Sequence, residues 1–203
     1  IKKEAVVMDI GSTKKEICDS VKDHPKRKQF VASHPIAGTE NSGPKAAIKN
    51  LFEGKNTIIC DKNKSDAKAI ETVKKIYETL GMKILYMDSD DHDMHVAYVS
   101  HISHISSFLL ATTVLDIEKN TSTIFNLAGS GFASTVRLGK SSPEMWAPIF
   151  VQNSKYISRA LNTYINELKE FKNFIDEKNH DKMVEVMKRA NEIRRVLDGK
   201  KLS

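Results

Sequence analysis

The sequence of 203 residues predicts an incomplete α/β domain followed by an all-helical domain. Within residues 1–88, short β-rich segments alternate with segments of helical spacing, which is the pattern of an α/β sheet. After Asp88 the apolar residues recur at helical steps, and no convincing strand signal interrupts them. We therefore predict one domain over residues 1–88 and a second over residues 89–203.

Four segments of the first domain have strand character. The first is short and buried, and a turn at Gly11 leads from it into a helix whose first turn we expect the Ser12 hydroxyl to cap. Helical spacing over residues 65–80, with Gly81 at the position that ends helices, predicts a helix between the last two strands. The predicted strands are AVVMD (5–9), KQFVASH (28–34), NTIICD (56–61) and MKILYMD (82–88).

The second domain is predicted to contain three long helices and one connection. The helices cover residues 91–116, 151–175 and 180–197, and the glycine- and serine-rich segment 129–146 connects the first two. An apolar stripe on the second helix packs either inside the chain or against a second copy, and the pattern favours neither. The stripe consists of Ile157, Leu161, Tyr164, Leu168, Phe171 and Ile175.

Composition argues against several classes of protein. The formal charge is +6, but the lysines are scattered through helical segments, which favours solvated helix faces over a nucleic-acid surface. The longest apolar runs are far shorter than the roughly 20 residues of a spanning helix, so we expect no membrane partner. Cys18 and Cys60 form no paired motif, which argues against a disulfide framework and a thiolate zinc site. We expect a cytoplasmic protein.

His34 stands at the end of the second predicted strand, in the polar segment SHPIAGTENSG (33–43). Loops at the carboxyl ends of strands in an open α/β sheet face the ligand crevice, so a histidine there is well placed to act as a base. The alternative is an ordinary loop histidine that only forms structural hydrogen bonds.

Four histidines fall within the predicted helix after Asp88, in two pairs: His92 with His95, and His101 with His104. Residues three apart share a helix face, so Ser100, His101 and His104 form one polar patch that suits an anionic substrate. His95 and His104 are nine residues apart, and nine rotations of about 100° place their side chains on roughly opposite sides of a regular helix. We therefore expect the two pairs to be separated. A metal-dependent hydrolase that uses all four histidines remains the alternative.

Arg137 follows a flexible glycine-rich stretch. The guanidinium group is the side chain best suited to hold a carboxylate through two parallel hydrogen bonds, so Arg137 is a candidate for substrate binding. The alternative is a surface arginine without a ligand.

In this order, these segments resemble the prephenate/arogenate dehydrogenase family over essentially the whole chain. No single motif is decisive, but four motifs in the same order make coincidence improbable. The motifs are Asp9-x-Gly11-Ser12-x-Lys14, His34-Pro35-Ile36-Ala37-Gly38-Thr39-Glu40-x-Ser42-Gly43, Ser100-His101-x-x-His104, and Gly129-x-Gly131-Phe132 leading to Arg137 and to Ser141-x-Pro143-x-Met145-Trp146.

The resemblance implies a Rossmann-like dinucleotide-binding domain followed by a helical dimerisation domain. The family's glycine-rich fingerprint follows an opening strand, and no such G-x-G-x-x-G stands here, so the first domain is expected to be incomplete. The implied activity is the oxidative decarboxylation of prephenate or arogenate in tyrosine biosynthesis, with NAD as cofactor and NADP as the alternative. A homodimer formed through the helical domain is implied, and a non-catalytic dimerisation module is the remaining alternative.

The resemblance also implies roles for individual residues. His34 accepts a hydrogen bond from the ring hydroxyl of the substrate, and Ser12 orients this group beside the nicotinamide. Asp9, Gly11 and Ser12 contact the cofactor, and Arg137 binds a substrate carboxylate. The remaining residues line the substrate pocket (Ser100, His101, His104) or its mouth (Thr39, Glu40).

One position departs from the family pattern. Ser103 stands where proline is common, and we expect its loss to straighten the helix and to change how His101 and His104 project.

Overall fold

The computed structural model describes residues 2, 4–39, 41, 43–118 and 127–197. The contacts divide the chain into two compact units, Ile1–Ser158 and Arg159–Ser203. The domain boundary predicted near Asp88 lies inside the first unit, at the change from strands to helices, and stays a prediction. Among the described residues, no helix is long and apolar enough to cross a membrane.

The first unit contains the four-stranded sheet that the sequence predicts. Its strands are β1 (Val7–Asp9), β2 (Phe30–Pro35), β3 (Asn56–Cys60) and β4 (Lys83–Met87), and they lie in the order of the chain. β1 is parallel to β2, β2 is antiparallel to β3, and β3 is parallel to β4. β1 is only half-buried, since Val7 is 37% exposed, so the expectation of a fully buried first strand is wrong.

Helices cover both faces of the sheet. Successive residues of a strand point to opposite faces, so each strand contributes apolar side chains to both layers. On one face, Val31 and Ile59 pack with Val73 and Tyr77 of α2 (Ala67–Thr79). On the other face, the next residues along the same strands, Ala32 and Cys60, pack with Cys18 of α1 (Lys15–Ser20). Gly81 follows α2 with a φ of 71°, as its predicted position at the helix end requires.

A long helical run follows β4, but it is not one regular helix. It consists of α3 (Ser89–Val96), a π-helical segment (Ala97–His101) and α4 (Ile102–Glu118). A π turn contains extra residues, so the side chains after it point in directions that regular α-helical spacing does not predict. The helix is therefore locally wide in the turn that contains His101, whereas Ser103 lies in the regular helix that follows, and the expected straightening at Ser103 stays a prediction.

The connection predicted over residues 129–146 is largely helical, which corrects the sequence analysis. It forms α5 (Ser130–Thr135) and a short 3₁₀ segment (Arg137–Lys140), and its end belongs to α6 (Pro143–Gln152). The Ser142 side chain accepts a hydrogen bond from the Met145 backbone N–H, and a proline follows as the first helical residue. These capping signals start α6 despite the glycine and serine content of the segment before it.

The last helices are α7 (Ser154–Asp176), α8 (His180–Asn191) and α9 (Ile193–Leu197). The helix predicted from residue 151 therefore begins three residues later, because Asn153 ends α6. Within the second unit, the Arg189 guanidinium donates to Glu167 at 3.0 Å and joins α8 to α7. Part of the predicted apolar stripe on α7 is exposed, at Leu168 and Ile175.

Candidate active site

A buried relay of three side chains links the sheet to the helical run. We use this name for His34, His92 and Asp93. His34 lies at the carboxyl end of β2, where the sequence predicts it, and its Nδ1 lies 2.8 Å from Nε2 of His92. His92 Nδ1 in turn lies 2.8 Å from Oδ1 of Asp93. His92 and Asp93 are inaccessible to solvent, whereas His34 is half-buried.

Asp93 also caps α1 from a distant part of the chain. Its Oδ1 accepts a hydrogen bond from the Lys14 N–H, and its Oδ2 accepts one from the Lys15 N–H, both at 2.8 Å. No side chain next to the helix in sequence provides this cap, so the predicted capping role of Ser12 is wrong. A carboxylate satisfies two N–H groups at once and favours the positive end of the helix dipole.

Burial controls the charges in the relay. It lowers the pKa of His34 to about 3, and the neighbouring charges of His92 and Lys14 act in the same direction. Burial raises the pKa of Asp93, but hydrogen bonds from His92 and from the two α1 backbone N–H groups outweigh it and leave this pKa below its usual value. A neutral imidazole and an ionised carboxylate therefore coexist in one buried site.

A buried lysine holds the loop after β1. Lys14 Nζ forms an ion pair with Asp9 and donates to the Ser33 carbonyl at 2.8 Å. The other oxygen of Asp9 accepts a hydrogen bond from the Gly11 N–H at 3.2 Å. A Cβ atom on Gly11 would lie 3.3 Å from that oxygen, so the turn leaves little room for a side chain. The loop carries Ser12, which is half-buried and lies just before α1, the helix that Asp93 caps.

His101 approaches the relay from the other side. The Asn153 amide nitrogen donates to the Asp93 carbonyl at 2.7 Å and to His101 Nδ1 at 3.1 Å. Burial lowers the pKa of His101 to about 4, and the charge of His92 contributes. Asn153 therefore links His101 to the turn that carries the relay, whereas His95 is exposed on the same helix, and the π-helical segment between the two histidine pairs changes the helical phase.

An aromatic cluster of Trp146, Phe150 and His104 lies next to this region. The His104 ring stacks on Trp146 with ring centroids 3.6 Å apart, and Trp146 lies 5.3 Å from Phe150. His104 Nδ1 donates to the Ser100 carbonyl at 3.0 Å. Partial burial lowers the pKa of His104, and the positive charge of Arg137 lowers it further. The charge of Arg137 therefore reaches the imidazole of His104.

The segment that carries Arg137 packs closely on α4. Ser107 on α4 donates to the Thr135 carbonyl at 3.0 Å and accepts from the Gly139 N–H at 2.9 Å. A Cβ atom on Gly139 would lie 3.3 Å from the Ser107 carbonyl oxygen, so glycine permits this approach. One hydrogen bond before Arg137 in the sequence and one after it thus hold the backbone of this segment on α4.

The predicted site residues fall into three groups. His34 and His101 gather at the relay, and His104 lies with Ser100 and the charge of Arg137 at the aromatic cluster. Thr39 is only half-buried, and its hydrogen bonds stay within its own loop, to Asn41. Glu40 lies outside the described residues.

Sequence reasoning assigned no role in this site to several of its members, which are His92, Asp93, Lys14, Trp146 and Asn153. His92 was considered only as a metal ligand, and Lys14 and Trp146 stood in the family motifs without a role. Among the described residues, no group of three or more histidine, cysteine, aspartate or glutamate side chains has an arrangement that holds a metal ion.

Comparison with known proteins identifies the class to which this fold and site belong. A family model described as "Prephenate dehydrogenase, nucleotide-binding domain" matches residues 1–86. A second, described as "Prephenate dehydrogenase, dimerization domain", matches residues 88–189. The chain belongs to the prephenate dehydrogenase family.

Individual relatives agree with this assignment. The chain is 29% identical to a cyclohexadienyl dehydrogenase of Zymomonas mobilis over 97% of its own length and 68% of the relative. It is also 29% identical to a prephenate dehydrogenase of Bacillus subtilis, over 96% of the chain and 53% of the relative. The chain thus spans between about half and about two thirds of these proteins.

Solved structures have the same fold. A prephenate dehydrogenase from A. aeolicus, in complex with hydroxyphenyl propionate and NAD+, is 33% identical and superposes with a TM-score of 0.86. That match covers 97% of this chain and 68% of the other. A Synechocystis arogenate dehydrogenase is 25% identical, with a TM-score of 0.75, over 95% of this chain and 69% of the other.

Proposed function

We propose that the complete protein is an NAD(P)-dependent dehydrogenase that decarboxylates prephenate or arogenate oxidatively. The observation that carries this proposal is His34, a neutral histidine at the carboxyl end of β2 whose pKa is about 3. Such a group accepts a hydrogen bond from a substrate hydroxyl at neutral pH without first losing a proton. Membership of the family and the relatives' activities support the same reaction.

His34 acts on the hydroxyl of the substrate ring. As the carbon that bears this hydroxyl loses hydride, the oxygen becomes acidic, and His34 takes its proton while the carbon–oxygen bond gains ketone character. The ring carboxylate then leaves as CO2, the electron pair of the broken bond makes the ring aromatic and returns electron density to the oxygen, and His34 gives the proton back to form the phenol. The nearby charge of Asp93 favours the imidazolium that forms transiently on His34.

The loop after β1 fits the cofactor. Gly11 presents backbone without a side chain, and a Cβ there would press on the Asp9 carboxylate that holds the turn. Asp9, Gly11 and Ser12 are the residues of this chain that would hold the nicotinamide end, with Ser12 orienting the substrate hydroxyl beside it. NAD, when bound, supplies the hydride acceptor.

The aromatic cluster and Arg137 form the substrate-binding half of the site. The guanidinium binds a substrate carboxylate, because its fork matches the two oxygens. The Trp146 indole, stacked on His104, forms an apolar wall that excludes water from the ring. Ser100, His101 and His104 line the pocket, and Thr39 and Glu40 belong to its mouth.

We infer that the protein works as a homodimer. The exposed apolar residues of α7, including Leu168 and Ile175, offer a face for a second copy. The family model that covers residues 88–189 carries the description of a dimerization domain. Size measurement of the complete protein in solution tests this inference, and a monomer at micromolar concentration would contradict it.

An activity assay tests the proposed function. The complete protein is mixed with prephenate or arogenate and with NAD or NADP, and the absorbance of the reduced nicotinamide is followed. We expect reduction of one cofactor together with release of CO2 in equal amount. No reduction with any of the four combinations, in a folded protein, would overturn the proposal.

A further inference from the structure

The buried relay contains two histidines in direct contact, but the proposed reaction requires only His34. His92 is completely inaccessible and lies 2.8 Å from a relay partner on each side, at His34 Nδ1 and Asp93 Oδ1. Burying an imidazole in this way costs free energy unless both nitrogens are satisfied. The arrangement is therefore informative about where the protons lie.

The hydrogen-bond partners of Asp93 fix the first proton. Both carboxylate oxygens accept backbone N–H groups of α1, and Oδ1 also faces His92 Nδ1. An ionised carboxylate has only acceptors, so Nδ1 of His92 must carry the proton that joins them. In a neutral His92, Nε2 then has a lone pair and no proton.

His92 in turn fixes the position of the proton on His34. Nε2 of His92 is an acceptor, so Nδ1 of His34 must be the donor across the 2.8 Å contact. A neutral imidazole has one proton, and therefore Nε2 of His34 has a free lone pair. Within the described residues, no hydrogen bond to this nitrogen is present. The relay thus leaves His34 with an unprotonated nitrogen on the side away from His92.

We propose that His92 is a positioning residue that, supported by Asp93, fixes His34 in the tautomer with an unprotonated Nε2. Because only this tautomer accepts a proton from a substrate hydroxyl at Nε2, His92 determines the fraction of protein that is competent for proton transfer. The effect on turnover rests on the proposed function, whereas the tautomer itself does not depend on it.

The relay also has a role once the proton has moved. A proton on Nε2 of His34 gives an imidazolium whose Nδ1–H still donates to His92, so no hydrogen bond has to be broken. Asp93 supplies a negative charge at the far end of the chain of hydrogen bonds. An aspartate that orients a catalytic histidine and stabilises its protonated form in this way has a large effect in serine proteases.

The test combines a tautomer measurement with kinetics on the complete protein. Histidine is labelled with ¹⁵N, and long-range ¹H–¹⁵N spectra at neutral pH report which ring nitrogen carries the proton. The His34 signals are assigned as those that disappear in His34→Asn. We expect His34 with a protonated Nδ1 and an unprotonated Nε2 in the unmodified protein.

His92→Phe keeps the ring volume but removes the acceptor for His34 Nδ1. We expect mixed tautomers of His34 and a fall in kcat of about 10- to 100-fold, by analogy with the range seen when the hydrogen-bond partner of a metal-binding histidine is removed, with little change in KM. The matched control is His95→Phe, because His95 is exposed on the same helix, and both readouts should stay unchanged. His92→Gln, which retains an amide acceptor, should recover part of kcat.

A His34 that carries its proton on Nε2 in the unmodified protein would overturn the proposal. So would a folded His92→Phe variant with unchanged kcat. If this variant does not fold, the spectrum of the unmodified protein still decides, since it needs no substitution at His92. Failure of the proposed function looks different, because the unmodified protein would then show no turnover while its tautomer could still be read.

Discussion

The two halves of the candidate site hold their histidines in different ways. In the buried relay, His92 is fully enclosed, and both its contact with His34 and the cap that Asp93 forms on α1 join segments that are far apart in sequence. In the aromatic cluster, His104 is half-buried, stacks on an indole and lies in the field of Arg137. The first arrangement fixes where protons lie, and the second combines a largely buried aromatic cluster with the exposed cation of Arg137. Proton transfer and substrate binding are thus separated within one site.

The largest effect is expected from His34→Asn, which removes the proton acceptor of the relay. Turnover should fall by about 10²-fold or more, because general-base catalysis typically contributes that much. KM should change little, since the binding half remains intact. Steady-state kinetics with the accepted substrate measure both. The control is His95→Asn on the exposed face of α3, and near-normal turnover of His34→Asn would remove His34 from the mechanism.

Asp93→Ala should affect stability more than any substitution in the aromatic cluster. It leaves two α1 N–H groups and His92 Nδ1 without their acceptor. Breaking a buried charged network of this kind costs about 3 kcal/mol of the free energy of unfolding. Urea denaturation measures this loss. Asp181→Ala, at an exposed site in the first turn of α8, should cost about 0.5 kcal/mol or less; equal losses would show that the cap is unimportant.

Arg137→Ala tests the binding half. Loss of a charge-assisted hydrogen bond to a carboxylate should raise KM by about 10-fold, while kcat changes less. Because the charge of Arg137 lowers the pKa of His104, the same substitution should raise that pKa, which an NMR titration detects. Arg194→Ala, at an exposed arginine of α9, is the control. An unchanged KM would mean that another group holds the carboxylate.

The last effect concerns acid stability. His34 and His101 have pKa values of about 3 and about 4, below the ordinary value of 6.5. In the unfolded chain both bind protons as the pH falls below 6.5, whereas in the folded state both stay neutral until much lower pH. The free energy of unfolding should therefore decrease with falling pH in this window. Urea denaturation at several pH values measures the slope, which should be shallower in a His34→Asn, His101→Asn variant; an equal slope would contradict this.

Much of the sheet could be predicted from sequence, because strands and turns have local signals. The four β-rich segments and Gly81 depend on alternation and on backbone conformation, which neighbouring residues determine. The position of His34 at the end of a strand was predicted for the same reason, since it is the last residue of the second predicted strand. Family membership, predicted from four short motifs, is confirmed by the family models.

The relay could not be predicted, because it depends on a helical irregularity and on tertiary contacts. The π-helical segment changes the phase between His92 and His101, and no residue of Ala97–His101 marks it in the sequence. Asp93 caps a helix 78 residues away, so a rule based on adjacent residues chose Ser12 instead. Only the folded chain brings these groups together.

The most direct test of this account is a ¹⁵N NMR titration of His34 in the complete protein. The central claim is that burial in the relay keeps this imidazole neutral across the physiological range. We predict that His34 stays neutral from about pH 8 to about pH 5, where an ordinary histidine becomes charged. Protonation of His34 within this range would contradict the claim.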